Sequence, residues 1–313
     1  MTAKHSEPLL AVLATGGTIA SKKDASGAAS PALSGEDLLA TLPPVAIRLR
    51  VRELLATDSS CLTLADMQTI SDAVAAELAD PAISGVVVLH GTDAMEETAL
   101  LVQAQLAPGK PVVFTGAQFA SDHLQTDGPG NLADAVALAA HGAAGVALAF
   151  GGRVFPAWGL YKFATDSGDA FRRAADEAAP PIPPLPAPVT GLRVDIVAIH
   201  PGGDALHLDA SLGAGARGIV VAALGSGNAT PELVAAIARA EAAGVPVIIT
   251  SRVPEGVMAP TYGGGGGGHD MRRAGAIHAR LLRPGQARIL LAALLANGCD
   301  RATIAAAFES API

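Results

Sequence analysis

Short apolar runs alternate with longer alanine- and leucine-rich stretches along this chain. Leu9–Ala14 (LLAVLA) is an unbroken apolar run of strand length, closed by Gly16 and Gly17. A run of that kind, without polar alternation, reads as a strand buried on both faces. Val86–Leu89, Pro111–Thr115 and Gly145–Phe150 read the same way. Between them, Asp66–Ala79, Met95–Leu106 and Asn131–His141 read as helices, the first opened by a capping box of Thr63 and Asp66. Strands alternating with helices argue a parallel sheet covered on both faces. The stretch Pro180–Pro188 (PPIPPLPAP) interrupts the pattern. Its prolines fix φ and remove backbone donors, which makes a stiff linker. Beyond it, Val194–Ile199, Gly218–Leu224 and Val245–Ile249 read as strands, and Pro231–Ala243 and Ala287–Ala296 as helices. The expected fold class is α/β with two α/β domains. A larger N-terminal domain with a parallel-type sheet and flanking helices takes residues 1–180, the linker 181–188, and a smaller Rossmann-like C-terminal domain 189–313. The six glycines Gly263–Gly268 are expected to form a mobile loop, because glycine has the most backbone freedom to lose.

Composition narrows the class. The 313 residues are 50% hydrophobic and 16% charged, which excludes a disordered chain. Aromatics are only 3%, so the core is built from Ala, Val, Leu and Ile. The formal net charge is −8 and there is no basic run, which argues against nucleic acid as a partner. The two cysteines make no disulfide framework, and no C-x-x-C or H-E-x-x-H pattern suggests a metal. The run at Leu9 is too short for a signal segment, and no apolar run reaches the roughly 20 residues of a membrane span. The expectation is a cytoplasmic protein with no membrane partner.

In open α/β sheets ligands sit at the carboxyl ends of strands. Four such places carry polar side chains here: Thr15 in ATGGTIA, Asp58-Ser59-Ser60, His90-Gly91-Thr92-Asp93, and Thr115-Gly116-Ala117-Gln118. Gathered at one rim they make a pocket with two threonines, serines and a buried-side aspartate. Each also has a plainer reading. Thr15 opens a glycine-rich turn, Asp93 with Glu96 caps a helix, Ser59 and Ser60 are loop residues, and His90 is a packed histidine. Lys162 is one of only five lysines and lies in an apolar, aromatic stretch, VFPAWGLYKFAT. It is either a snorkelling surface lysine or, beside Thr92 and Asp93, a general base of burial-lowered pKa, a role arginine cannot fill.

TGGTIA (Thr15–Ala20) and HGTDAMEETA (His90–Ala99), in this order and spacing, resemble the two signatures of the bacterial-type L-asparaginase family. The resemblance continues through DSSC (Asp58–Cys61), FTGA (Phe114–Ala117), DGPGNL (Asp127–Leu132), GSGN (Gly225–Asn228), SRVPEG (Ser251–Gly256) and QARILLAALL (Gln286–Leu295), so it spans nearly the whole chain. It implies an amidohydrolase that needs no metal or cofactor and turns the side-chain amide of L-asparagine into aspartate and ammonia. It implies that Thr15 is the nucleophile and that Thr92, Asp93 and Lys162 form a Thr–Lys–Asp triad. Ser59 and Ser60 would hold the substrate α-carboxylate, with Gly91 beside them, and Asp93 the α-ammonium. Asn228 would come from the C-terminal domain of a neighbouring subunit in a homotetramer built from close dimers.

One departure stands out. The family's loop tyrosine after TGGTIA is missing: the loop reads SKKDASGAASP, with Ala28 and Ala29 where it would sit. That stretch, Ser21–Ser34, is rich in Gly, Ser and Ala and is expected to order only on substrate binding. Tyr161 and Tyr262 are the only tyrosines, and Tyr262 beside the glycine tract is the candidate to reach the site from a partner subunit. Glu255 and Asp270 are loose candidates for the C-terminal acidic contact. Alternatives remain: an amidase leaning to glutamine or tolerating D-amino acids, a silent amino-acid sensor on the same fold, a nucleotide-binding regulator, and an archaeal-type tRNA amidotransferase component, which carries additional sequence ahead of TGGTIA.

Overall fold

The apolar run Leu9–Ala14 becomes strand β1 at the heart of a sheet in the computed structural model, which describes residues 7–23, 29–44 and 46–310. The chain divides into two units. One holds the residues up to Ala157 together with Lys162–Arg172; the other holds Trp158–Tyr161 and everything from Arg173 onward, the proline-rich stretch included.

In the first unit the elements follow in the order β1, α1 (Gly35–Leu39), β2 (Arg48–Glu53), α2 (Leu64–Ala79), β3 (Ile83–Leu89), α3 (Met95–Leu106), β4 (Pro111–Thr115), α4 (Gly128–His141), β5 (Gly145–Phe150) and β6 (Arg153–Pro156). The six strands lie in the order β2-β1-β3-β4-β5-β6. All neighbours are parallel except β6, which runs antiparallel to β5 along the edge. Alternation along the strands splits the core. Leu10, Val12 and Ala14 of β1, Val87 and Leu89 of β3 and Val113 of β4 share one buried cluster with Leu132, Ala135 and Val136 of α4. The intervening Leu13, Val86 and Val88 are equally buried on the other face, where α2 and α3 pack on the sheet and on each other. The capping box of α2 is complete: Thr63 Oγ1 accepts from Asp66 N and the Asp66 carboxylate accepts from Thr63 N.

Strand β2 (RLRVRE) escapes a search for apolar runs because arginines occupy every second position. It is an edge strand, and charge on an edge discourages pairing with another chain. Arg50 also reaches across to Glu77 at 2.5 Å and Asp80 at 2.9 Å.

The second unit carries β7 (Val194–Ala198), α5 (Leu206–Gly213), β8 (Gly218–Ala223), α6 (Pro231–Ala242), β9 (Val247–Ser251), α7 (Gly268–Arg273), β10 (Ile277–His278), α8 (Pro284–Ala296) and α9 (Arg301–Glu309). Its four strands are parallel, in sequential order β7-β8-β9-β10. Ile219, Val221, Val247 and Ile249 of the sheet pack with Leu233, Ala236 and Ile237 of α6. The glycine tract differs from its expected freedom. The Gly265 and Gly267 amides donate to Asp270 Oδ2 at 2.7 and 3.1 Å, and Ala229 N donates to Gly266 O at 2.8 Å. A β-carbon at Gly267 would lie 2.0 Å from Tyr262 O. Close approach of backbone to backbone is what Gly266, Gly267 and Gly268 permit.

Candidate active site

Strands β1 to β4 are mutually parallel, so their carboxyl ends share one rim of the first unit. Thr15 follows β1 directly. Its amide extends the ladder to Leu89 O at 3.0 Å, and its hydroxyl donates to the same oxygen at 2.8 Å. The residue is 2% exposed. The turn after it needs glycine twice over. Gly17 has φ 83° and ψ −177°, a region closed to residues with a β-carbon, and a β-carbon there would lie 2.4 Å from Gly91 Cα. The turn after Thr15 is thus stacked on the Gly91 backbone. Gly17→Ala is expected to destabilise the fold by about 3 kcal/mol and to abolish activity, checked by thermal melting beside an activity assay.

After β2, Ser59–Cys61 makes a single 3-10 turn. Ser59 is buried, and its Oγ accepts from Asp93 N at 3.1 Å. A hydroxyl that accepts retains its own proton to donate to an anion. Ser60 is exposed.

After β3 comes His90-Gly91-Thr92-Asp93. Asp93 does not cap α3 as its spacing with Glu96 suggests. The N-cap is Ala94, without a side-chain bond, because the Asp93 carboxylate is turned to Lys162 instead. Nor is Asp93 on the buried side: its side chain is 59% exposed. Lys162 arrives at the end of the short strand Leu160–Lys162, where the chain turns back through a bond from Phe163 N to Ala170 O at 2.7 Å. Lys162 Nζ donates to Thr92 Oγ1 and to Asp93 Oδ1, both at 2.7 Å.

Glu96, in the first turn of α3, makes a contact that the sequence does not announce. Its carboxylate accepts the Lys162 backbone N–H and so fastens the lysine's strand to the helix that follows Thr92 and Asp93. Burial pushes this carboxyl up to about 8, the Lys162 amide opposing the shift. A raised carboxyl pKa means that the folded protein keeps a proton the unfolded chain loses above about pH 4.5. Stability therefore declines as pH climbs through that value towards 8. Glu96→Gln keeps an acceptor for the Lys162 amide and is expected to flatten this slope in denaturant titrations run at several pH values.

The structure brings Thr15, Ser59, Ser60, Gly91, Thr92, Asp93 and Lys162 to one rim of one unit. Asn228 and Tyr262 belong to the second unit. There Asn228 exchanges backbone bonds with Leu224, and its buried Oδ1 has no partner among the described residues. Tyr262 is 60% exposed. Glu255 accepts from Tyr161 Oη at 2.9 Å, and Asp270 holds the glycine tract. Ala28, in the place of the absent tyrosine, lies outside the described residues. The DGPGNL segment braces the rim: the Asp127 carboxylate accepts from the Gln118 and Phe119 amides, and Asn131 Nδ2 donates to Gly116 O at 3.0 Å. Among the described residues no group of three or more His, Cys, Asp or Glu is placed to hold a metal ion, and no helix is long and apolar enough to cross a membrane.

Comparison with known proteins covers the whole of this architecture. Residues 9–182 match the family described as "Asparaginase, N-terminal", and residues 193–308 match the "Glutaminase/Asparaginase C-terminal domain". A "Probable L-asparaginase" of Deinococcus radiodurans is 36% identical, over 96% of this chain and 97% of that protein. An "L-asparaginase" of Bacillus licheniformis is 29% identical over 92% and 95%. Among solved structures, a "Probable Cytoplasmic L-asparaginase" from Campylobacter jejuni superposes with a TM-score of 0.85 at 28% identity, covering 96% of this chain and 99% of that one.

Proposed function

The chain belongs to the asparaginase family, and from that premise we propose how its rim of strand ends hydrolyses the side-chain amide of L-asparagine to L-aspartate and ammonia. The observation that carries the reading is the bridge of Lys162 Nζ between Thr92 and Asp93, 2.7 Å from each, on the rim where Thr15 stands. An amide carbonyl is a poor electrophile, and an acyl-enzyme divides one hard step into two easier ones. Thr15 Oγ1 attacks the carboxamide carbon, the C–N bond breaks, and ammonia leaves with the hydroxyl's proton. Water then attacks the β-aspartyl ester and returns a proton to Thr15. The chain of hydrogen bonds through Thr92, Lys162 and Asp93 carries protons in the water step. The Ser59 hydroxyl and Ser60 meet the α-carboxylate, and the open side of the Asp93 carboxylate meets the α-ammonium. These contacts hold the side-chain amide over Thr15, which is catalysis by proximity and selects a zwitterionic amino acid. Backbone N–H groups of the glycine-rich turns at Gly16 and Gly91 stabilise the oxyanion.

This reading also takes the protein as a cytoplasmic homo-oligomer, a tetramer of close dimers in which a neighbour supplies Asn228 and Tyr262. Light scattering tests the assembly. A coupled ammonia assay with L-asparagine and L-glutamine as parallel substrates tests the activity. Faster release from asparagine is expected; calorimetric binding of asparagine with no ammonia from either amide would leave only an amino-acid sensor.

A further inference from the structure

Strand β3 stops at Leu89, and the last ladder contact beyond it is His90 N to Thr115 O at 2.9 Å. The Gly91–Thr92 peptide is the second beyond that anchor, and it begins at a residue whose missing side chain gives it no restraint of its own. A β-carbon cannot be supplied there, since it would lie 2.5 Å from Ser59 Oγ. Left alone, such a peptide is free to rotate about its flanking bonds. It is not left alone. The His90 imidazole, 0% exposed and tilted against Phe114, has its Nδ1 at 2.7 Å from Gly91 O. A carbonyl oxygen only accepts, so the ring proton is on Nδ1 and Nε2 carries a bare lone pair. Nε2 is buried with no partner among the described residues. The ring therefore makes one polar contact, to the peptide that enters the catalytic turn.

In a planar trans peptide the C=O and N–H point in opposite directions. Holding the Gly91 oxygen down towards the core turns the Thr92 N–H up towards the rim. That N–H has no acceptor among the described residues, and the Thr15–Gly17 turn stacks on the Gly91 backbone beside it. We propose that His90 is a positioning residue: by gripping the Gly91 carbonyl from below, it fixes the Thr92 N–H as a donor to the oxyanion that forms when Thr15 attacks. The inference rests on the asparaginase reading above and adds to it the group that aims the donor. Burial holds the imidazole down to about 4, the bond to Gly91 opposing the shift, so the ring stays neutral near pH 7.

The test compares His90→Leu with His90→Asn, since the Asn side-chain amide places an N–H close to where Nδ1 stands. A donor realised only in the transition state affects kcat and leaves KM alone. His90→Leu is expected to lose about 10²-fold in kcat, with KM and calorimetric binding of aspartate within about twofold, the size of effect seen when one oxyanion donor is removed. His90→Asn is expected to recover most of that loss. Wild-type kcat in a folded His90→Leu protein would overturn the proposal, as would equal losses in both variants that track a common fall in melting temperature. A readout independent of turnover is ¹⁵N NMR of the imidazole in the wild-type protein. It is expected to show Nδ1 protonated and Nε2 bare through the ordinary histidine range around pH 6.5. A proton on Nε2 overturns the proposal whether or not the protein hydrolyses asparagine. Failure to release ammonia, with the Nδ1–H tautomer intact, instead overturns the asparaginase reading.

Discussion

Thr15→Ala is expected to lower kcat for asparagine hydrolysis by at least about 10⁴-fold while asparagine still binds. Removing the nucleophile from a set of residues that acts as a unit forfeits nearly everything the set contributes. Binding is spared because the groups proposed to hold the zwitterion, Ser59, Ser60 and Asp93, come from other strand ends and none is bonded to Thr15 Oγ1. That hydroxyl's partner is Leu89 O, at 2.8 Å. The bond also defines a resting state, in which the hydroxyl donates to a backbone carbonyl and must give up that bond when the oxygen turns to its substrate. Thr15→Ser separates the hydroxyl from the methyl group. It keeps the nucleophile but loses the β-branching that restricts χ1, so an intermediate kcat with a chemically competent acyl-enzyme is expected. Mass spectrometry of rapidly quenched enzyme provides the check: an aspartyl adduct on wild type and Thr15→Ser, none on Thr15→Ala. Undiminished turnover in Thr15→Ala would require another nucleophile and end the reading.

Why these residues are legible in the chain, and others not, follows from the kind of signal each leaves. Strands β1, β4 and β5 and helix α3 keep the bounds the sequence suggests, because a doubly covered parallel sheet makes continuous apolar runs ended by glycine or polar residues. Strand β2 leaves no such signal, since arginines on an edge strand serve solubility and ion pairs rather than core. Helix α9 begins at an Asp300 side-chain cap on Thr303 N, a local signal that is weak because the apolar face behind it is short. At the site, Thr15 and Thr92 stand next to strand ends, where position alone marks them. Lys162 stands out by its odd setting and by resemblance. Its attachment to Glu96 is not visible in the chain, because the two are 66 positions apart and meet only through the tertiary fold. The orientation of Asp93 departs from expectation for a related reason. Helix-capping statistics describe a side chain left to its own helix, and here a lysine from a distant hairpin competes for the carboxylate and wins.

Lys162 offers the sharpest division between a proton carrier and a fixed charge. Lys162→Met keeps the aliphatic stem but removes both 2.7 Å contacts, and is expected to lower kcat by about 10³-fold, within the range for loss of a positioned acid–base group. If the triad serves the water step, acylation survives the substitution. The variant should then release a burst of ammonia stoichiometric with enzyme and stall as the aspartyl ester, whereas wild type shows no burst of that size. Lys162→Arg preserves a cation able to pair with Asp93 but cannot give up its proton near neutral pH, so it too is expected to remain slow. Recovery of wild-type rate by arginine would reduce the lysine to a local charge and remove it from proton transfer. Stability distinguishes these outcomes from simple damage. The Asp93 side chain is 59% exposed and that of Lys162 19%, so the ion pair is screened by water and contributes on the order of 1 kcal/mol or less to folding. A melting temperature within a few degrees of wild type, alongside a rate three orders of magnitude down, places the loss in the chemistry at Thr92 rather than in the fold that delivers Lys162 to it.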